Sequence, residues 1–297
     1  MDNFIIVITY LVIGMILKQI PDFKEDAGNV LNLFVIYVSL PALVLLKIPD
    51  LVFSKYLLVP TLMPWVMLFL SGVTILFLSK LLKWDRPTTG CLLLLIPMGN
   101  TSFLGFPLVE AFFGNQAIPY AVLYDQLGSF LALATYGSII LAIYGTGKIT
   151  TIAVIKKIIL FPPFISLILA FILKPFVYPP IVINILNVLA STLVPVVMIA
   201  VGFQLTLFLS KKVISQLGIG LVIKLVAAPL VALFICKLGG LEGEAVQVSI
   251  FEAGMPPMIS AGALAILANL APSLAAALVG IGIILSFVTL PILYQLL

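Results

Sequence analysis

The sequence predicts an all-α membrane protein with ten transmembrane helices in two inverted five-helix repeats, in which helices four and nine are broken. Three observations support this fold class. Of the 297 residues, 63% are hydrophobic and only 9% are charged, with a mean hydropathy of +1.32. A run of apolar segments, each long enough to cross a membrane, fills the chain. The two halves also share short sequence elements at a nearly constant spacing.

Composition excludes several classes of function. A soluble domain carries roughly 25% charged residues, so this chain lacks the residues for a water-facing surface. Cys91 and Cys236 both lie in apolar runs, which argues against a disulfide framework. Histidine is absent, and with it the commonest metal ligand. No phosphate-binding loop or nucleophile elbow occurs. We therefore predict no enzyme activity, no metal site, no cofactor and no nucleic-acid partner.

Short polar joints separate the apolar runs. The first run follows Asp2 rather than a basic segment, and no small-residue cleavage pattern follows it. We therefore expect a spanning helix there and not a cleaved signal peptide. The predicted spans lie near residues 3–20, 28–47, 56–80, 89–112, 117–144, 152–173, 181–209, 213–237, 244–267 and 273–295.

Basic residues fall mostly on one side of these spans. Apart from Lys224, which lies within a span, ten of the 15 basic residues occupy the joints after spans one, three, five and seven, and four lie on the opposite side. Because basic loops stay in the cytoplasm, both termini are predicted on the non-cytoplasmic side. The four on the opposite side are Lys47, Lys55, Lys174 and Lys237.

The two halves resemble each other at an offset of about 155 residues. The sequence NVLN at residues 29–32 recurs as NILN at residues 184–187, and Pro41 and Gly99 recur as Pro195 and Gly254. Five spans per half is an odd number, so the second half must enter the membrane upside down. Inverted repeats are typical of transporters that alternate access about a central site. The predicted repeats are residues 1–148 and 149–297.

Spans four and nine each contain a helix break. In span four, Pro107 lacks an amide proton and two glycines loosen the same stretch. In span nine, Pro256 and Pro257 are adjacent. The new N-termini, near residues 104–107 and 257–260, carry free amides that suit a carboxylate, and the C-terminal ends near Gly99 and Gly254 suit a cation. The alternative is that these prolines are ordinary kinks repaired by neighbouring helices. The predicted substrate-binding residues are Asn100, Thr101, Ser102, Gly105, Pro107, Gly254, Met255, Pro256 and Pro257.

Three ionisable residues lie deep within spans. A charge at the bilayer centre costs at least about 2.5 kcal/mol. The presence of Asp125, Glu252 and Lys224 within spans therefore indicates a specific structural or functional role for each. They are predicted to serve ion or proton coupling, with Lys224 as a counter-charge. The alternatives are protonated structural carboxyl groups and a structural or snorkelling lysine. Glu110 is a weaker candidate near the interface. Polar residues of spans two and seven that could face a substrate path or join helices are Asn32, Ser39, Asn187 and Gln204.

Three segments resemble the auxin efflux carrier family, which includes bacterial permeases and the plant PIN auxin exporters. They are residues 99–107 (GNTSFLGFP), 124–128 (YDQLG) and 252–257 (EAGMPP). Residues 39–42 (SLPA) and 285–291 (LSFVTLP) extend the resemblance over the whole chain. The short joint at residues 145–151 differs from the long loop of the plant carriers and looks bacterial. The resemblance therefore implies a multi-pass permease of a bacterial plasma (inner) membrane.

The resemblance also implies a fold akin to the bile acid:sodium symporters. Helices one, two, six and seven would form a scaffold, and helices three to five and eight to ten a transport core in which helices four and nine cross. Asn100, Pro107 and Pro256 would carry the binding role. Bacterial relatives are associated with organic acids such as malate or malonate, and plant relatives with auxin. Sodium and a proton are both left open as the coupling ion, and a homodimer is left open as the assembly.

These features together predict a secondary transporter that moves a small organic anion, such as a carboxylate or an auxin-like acid, by alternating access. Its partners would be that anion and membrane lipid. One alternative is a sodium- or proton-coupled cation antiporter on the same fold, with Asp125 and Glu252 as carriers. Another is a transporter-like sensor that binds a ligand without moving it.

Overall fold

A computed structural model of the protein describes residues 2–49, 51, 57–145, 151–205 and 213–297, and within these ranges it is helical with no β-strand. Several sequence predictions lie outside the described residues. These are the basic residues Lys55, Lys148, Lys211 and Lys212, the repeat boundary at 148/149, and the ends of spans three and seven.

The helices follow one another with short connections. Proline or a capping side chain begins many of them: the carboxylate of Asp85 accepts a hydrogen bond from the Thr88 amide at 2.9 Å and caps the helix that starts at Arg86. The helices are α1 (Asp2–Leu17), α2 (Ala27–Lys47), α3 (Leu58–Leu81), α4 (Arg86–Leu95), α5 (Thr101–Phe113), α6 (Asn115–Tyr144), α7 (Thr151–Ile159), α8 (Pro162–Leu173), α9 (Pro180–Gln204), α10 (Ile214–Leu238), α11 (Glu244–Ala253), α12 (Ile259–Leu267) and α13 (Pro272–Tyr294).

Among the described residues, six helices are long and apolar enough to cross a membrane: α2, α3, α6, α9, α10 and α13. Their outward faces carry large apolar side chains such as Phe69 and Phe77 of α3, which are about two-thirds exposed. Hydrophobic surface of this extent needs lipid to cover it. The chain is therefore a multi-pass membrane protein.

The remaining predicted spans are shorter helices or pairs of helices. Span one is the 16-residue α1. Spans four and nine are broken, as predicted, into α4 and α5 and into α11 and α12. Span six, predicted near residues 152–173, consists of two helices, because Pro162 and Pro163 begin α8 separately from α7. The count of ten spans and their inverted repeat stay predictions.

The chain clusters into two compact units, with boundaries that fall within α5, α6 and α7. Unit one contains Met1–Ser54, Ser102–Val122 and Lys157–Leu205, and unit two contains Lys55–Thr101, Leu123–Lys156 and Thr206–Leu297.

In unit one, α1 packs closely against α9. A Cβ atom on Gly14 of α1 would lie 2.1 Å from the carbonyl oxygen of Ile199. A Cβ atom on Gly202 of α9 would lie 2.0 Å from the carbonyl oxygen of Leu11. The two glycines therefore allow the backbones to touch, as small residues do between helices in membranes.

Unit two is built around α4, whose residues Leu92, Leu94 and Leu95 are fully buried. This helix contacts α12 and α13. Nearby, α3 and α6 approach so closely that a Cβ atom on Gly128 would lie 2.1 Å from the Pro64 ring. The α6 backbone forms a wide π-helical turn over Tyr124–Phe130, which lies next to α3. This turn carries Asp125 and Gln126, both buried.

Candidate functional site

The two helix breaks meet inside unit two. Between α4 and α5 the chain leaves the helix at residues 96–100, and between α11 and α12 at residues 254–258. The Asn100 amide donates to the Pro256 carbonyl at 2.8 Å, and the Met258 amide donates to the Met98 carbonyl at 3.0 Å. Gly99 and Pro257 thus form an isolated antiparallel bridge. We call this arrangement of residues 96–100 and 254–258 the crossing.

The crossing corrects the predicted position of the first break. We expected the second half-helix to begin near residues 104–107, but α5 begins at Thr101 with a π-helical turn. Pro107 follows that turn in the first turn of an α-helix, where a missing amide proton costs little. In span nine the helices end at Ala253 and restart at Ile259, close to the predicted residues.

The crossing also limits what its backbone can bind. We expected free amides at the start of the second half-helix of span nine. The Met258 amide is bonded to the Met98 carbonyl, as the Asn100 amide is to the Pro256 carbonyl. The amides of the first turn of α12, which begins at Ile259, have no acceptor within the helix, as we expected. The crossing therefore uses two backbone amides and leaves its side chains and the first amides of α12 as donors for a ligand.

Asp125 joins the first break to α6. One of its carboxylate oxygens accepts a hydrogen bond from the Thr101 hydroxyl at 2.5 Å, and the other accepts from the Gln126 amide at 2.6 Å. All three side chains are buried. Both carboxylate oxygens of Asp125 are hydrogen-bonded. Asp125 therefore fixes the position of Thr101, the first residue after the crossing, and we call this its anchoring role.

Substituting Thr101 with valine should lower the free energy of unfolding by about 2 kcal/mol, because one oxygen of the buried Asp125 carboxylate loses its hydrogen-bond donor. Titration of the purified protein with SDS measures this change. Thr135→Val is the control, since the Thr135 hydroxyl donates to the Leu131 carbonyl of its own helix. Equal stability of the Thr101 and Thr135 variants would contradict the anchoring role.

Glu252 differs from Asp125 in its partners. It lies in the last turn of α11 and is completely buried. Within the described part of the chain, neither of its carboxylate oxygens has a hydrogen-bond partner. The charges of Lys224 and Asp125 lie within Coulombic range of it. A buried carboxyl group without hydrogen bonds is costly, and this one is therefore a strong candidate for a functional group.

Lys224 reaches the crossing from α10. It lies on a π-helical turn, Ile223–Ala227, and its side chain is 4% exposed. Its ammonium nitrogen lies 3.4 Å from the Ala253 carbonyl oxygen, at the C-terminal end of α11. A Cβ atom on Gly99 would lie 3.3 Å from the same nitrogen. The ammonium group therefore lies next to both broken segments.

Unit two contains most of the predicted site residues. Asn100 is 2% exposed, and its side-chain nitrogen has no hydrogen-bond partner among the described residues. The side-chain oxygen of Gln126, which we did not predict, is buried and unpartnered within the same described part. The predicted residues in unit two are Asn100, Thr101, Asp125, Lys224, Glu252, Gly254, Met255, Pro256 and Pro257, whereas Ser102, Gly105 and Pro107 belong to unit one.

Unit one contains a cavity of about 350 Å³. Pro107 lines it together with charged and amide side chains. The Glu110 carboxylate accepts a hydrogen bond from the Asn115 side chain at 2.9 Å and lies within Coulombic range of Lys47. The polar residues that line the cavity are Tyr10, Lys47, Glu110, Asn115, Asn187 and Ser191.

Two of the four polar residues predicted in spans two and seven join helices of unit one, whereas the side-chain oxygen of Asn32 is buried without a hydrogen-bond partner among the described residues. The hydroxyl groups of Ser39 and Thr192 lie 2.7 Å apart and link α2 with α9. The side-chain amide of Gln204 donates to Asn29 at 3.2 Å. Asn187 lines the cavity instead. We had left open whether these residues face a substrate path or join helices. In the structure, Ser39 and Gln204 join helices.

Comparison with known proteins decides the family. A family model described as "Membrane transport protein" matches residues 1–294. The chain belongs to this family. The resemblance to auxin efflux carriers is thereby confirmed.

Two archaeal members of similar length are described as uncharacterized transporters. The one from Methanocaldococcus jannaschii is 28% identical over 265 residues, covering 86% of this chain and 85% of the relative. The one from Methanothermobacter thermautotrophicus is 28% identical over 290 residues, covering 96% and 94%.

Proposed function

We propose that this membrane transport protein is a secondary carrier that moves a small organic anion across the membrane by alternating access. Membership of the family supports transport. The choice of an organic anion rests on the side chains at the crossing, where the backbone amides of Asn100 and Met258 are already bonded. Those side chains, together with the first amides of α12, would supply the hydrogen bonds that a carboxylate accepts.

The observation that carries the proposal is the state of Asn100. Its side-chain nitrogen is a buried donor with no acceptor among the described residues. A donor left unpaired in this way costs about 1–3 kcal/mol, and an incoming acceptor removes that cost. A carboxylate oxygen is such an acceptor.

We propose further that ten spans form two inverted repeats, residues 1–148 and 149–297. Spans three to five and eight to ten would move as a core against spans one, two, six and seven. The division into compact units supports this arrangement with two exceptions. Ser102–Val122 cluster with the scaffold spans in unit one, and the parts of spans six and seven up to Lys156 and after Leu205 cluster in unit two. The location that goes with it is the plasma membrane, with both termini on the non-cytoplasmic side.

Transport of radiolabelled carboxylates into liposomes tests the proposal. Malate, malonate and indole-3-acetate are the first substrates to try. We expect Asn100→Ala to reduce the uptake rate at least about tenfold, the equivalent of about 1.4 kcal/mol. Asn184→Ala is the control, because Asn184 is exposed on α9. Uptake by Asn100→Ala at the wild-type rate would refute the assignment of the crossing.

One observation favours a second candidate, a proton-coupled or sodium-coupled cation antiporter. Glu252 is a buried carboxyl group whose two oxygens have no hydrogen-bond partner within the described residues, as expected for a group that takes up and releases a cation. This candidate predicts proton movement in liposomes that contain no organic anion. The carrier proposal predicts proton movement only when the organic anion is present.

A further inference from the structure

The C-terminal end of α11 is a place that attracts a cation. The last carbonyl groups of a helix lack partners within the helix and carry partial negative charge. Here the Ala253 carbonyl accepts from Lys224, and the Glu252 side chain adds a carboxyl group one residue earlier. Asp125 adds a second carboxyl group within Coulombic range of Glu252. Oxygen atoms of these kinds are the ligands that hard cations prefer.

The positively charged group at this end of α11 is a side chain of the protein itself, Lys224. The Lys224 ammonium group is a compact point charge on a flexible stem, and it reaches the Ala253 carbonyl oxygen at 3.4 Å. Gly99 leaves room for it, since a Cβ atom at that position would lie 3.3 Å from the ammonium nitrogen. Both broken segments thus contribute to the space that this group occupies.

We infer that Lys224 is a tethered substitute for a bound monovalent cation at the crossing, and that removing its ammonium group exposes a binding site for sodium or lithium. The ligands of that site would be the Ala253 carbonyl oxygen and the two unpartnered oxygens of Glu252. The wild-type protein then needs no added sodium to hold the crossing together. The inference rests on the proposed carrier function only for its consequence that uptake is independent of sodium.

Thermal unfolding of the purified full-length protein tests this binding without any transport measurement. Unfolding midpoints are compared in sodium, lithium or N-methyl-D-glucamine chloride at equal ionic strength. For the wild type we expect the midpoints to agree within about 1 °C. For Lys224→Met we expect sodium or lithium to raise the midpoint by about 3 °C or more in a saturable manner, because an ion that binds only the folded state stabilises it.

Two further variants make the test specific. Lys224→Met/Glu252→Gln should lose the response to sodium, because the double variant lacks the carboxylate ligand. Lys18→Met is the matched control, since the Lys18 ammonium group also donates to a backbone carbonyl, that of Leu205 at 2.8 Å, and should show no response. If Lys224→Met does not fold, Lys224→Gln takes its place, and its midpoints with and without sodium are compared with those of the wild type. Saturable stabilisation of the wild type by sodium, or a cation-insensitive Lys224 variant, would overturn the inference.

Uptake in liposomes separates this inference from the proposed function. If the carrier moves a carboxylate at equal rates with sodium and with N-methyl-D-glucamine, both proposals are supported. If uptake requires sodium, the carrier function holds and the tethered cation is wrong. If no carboxylate is taken up, the carrier proposal fails, and the thermal unfolding comparison alone decides the role of Lys224.

Discussion

The Lys224→Met and Glu252→Gln variants should each lose about 3 kcal/mol of unfolding free energy, and the double variant should be more stable than either. Removing one member of a buried charge pair leaves the other without compensation, whereas removing both leaves neutral groups of similar size. Both side chains are almost completely buried, and each lies within Coulombic range of the other. Lys224 has one further contact, at 3.4 Å, with a backbone carbonyl.

SDS titration of the three variants and the wild type completes a double-mutant cycle. Lys237→Met and Glu242→Gln serve as controls, because both side chains are exposed near the end of α10. Each control should change the stability by about 0.5 kcal/mol or less. Strict additivity of the two site variants would mean that Lys224 and Glu252 do not act as a pair.

Gly14→Ala should destabilise the protein by about 2–3 kcal/mol, although alanine is the better helix former. The added methyl group would lie 2.1 Å from the Ile199 carbonyl oxygen, and backbone atoms cannot move aside as a flexible side chain can. The helices α1 and α9 must therefore separate, and the contacts around the glycine are lost. The same SDS titration measures the loss.

Gly202→Ala tests the other side of the same contact. Its methyl group would lie 2.0 Å from the Leu11 carbonyl oxygen, so a loss of similar size is expected. The double variant should lose less than the sum, because one separation of the helices relieves both clashes. Gly218→Ala in α10 is the control, since no atom lies within 4 Å of its added Cβ. A neutral Gly14→Ala would show that α1 and α9 do not pack this closely.

The apolar pattern predicted the long helices well, because length and hydrophobicity determine whether a segment can cross a bilayer. It predicted the break in span nine for a local reason, since adjacent Pro256 and Pro257 cannot continue a helix. It misplaced the start of the second half-helix in span four because we set that start near Pro107, whereas the helix begins at Thr101. A π-helical turn before Pro107 brings that proline to the start of an α-helix, and no sequence rule that we applied predicts such a turn.

The partners of the buried polar residues could not be predicted from the sequence. Asp125 and Glu252 are both acidic residues deep in apolar spans, and their positions in the sequence do not show which of them has hydrogen-bond partners. Their difference arises from folding, which brings the Thr101 hydroxyl to Asp125 and leaves the oxygens of Glu252 without a hydrogen bond in the described part of the chain. The contact of Gly14 with α9 is likewise set by the crossing of two helices that are far apart in sequence.

The interleaved course of the two units has a consequence for biosynthesis. Unit one is complete once Leu205 has been made, whereas unit two must wait for Leu297. The nascent chain therefore holds Asp125 in the bilayer before the second half of its unit exists. The hydrogen bond from Thr101, which precedes Asp125 in the chain, satisfies one of the two carboxylate oxygens at that stage. The ammonium group of Lys224 and the carboxyl group of Glu252 then enter on successive helices. Each can neutralise the other during insertion, which lowers the cost of placing two charges in lipid.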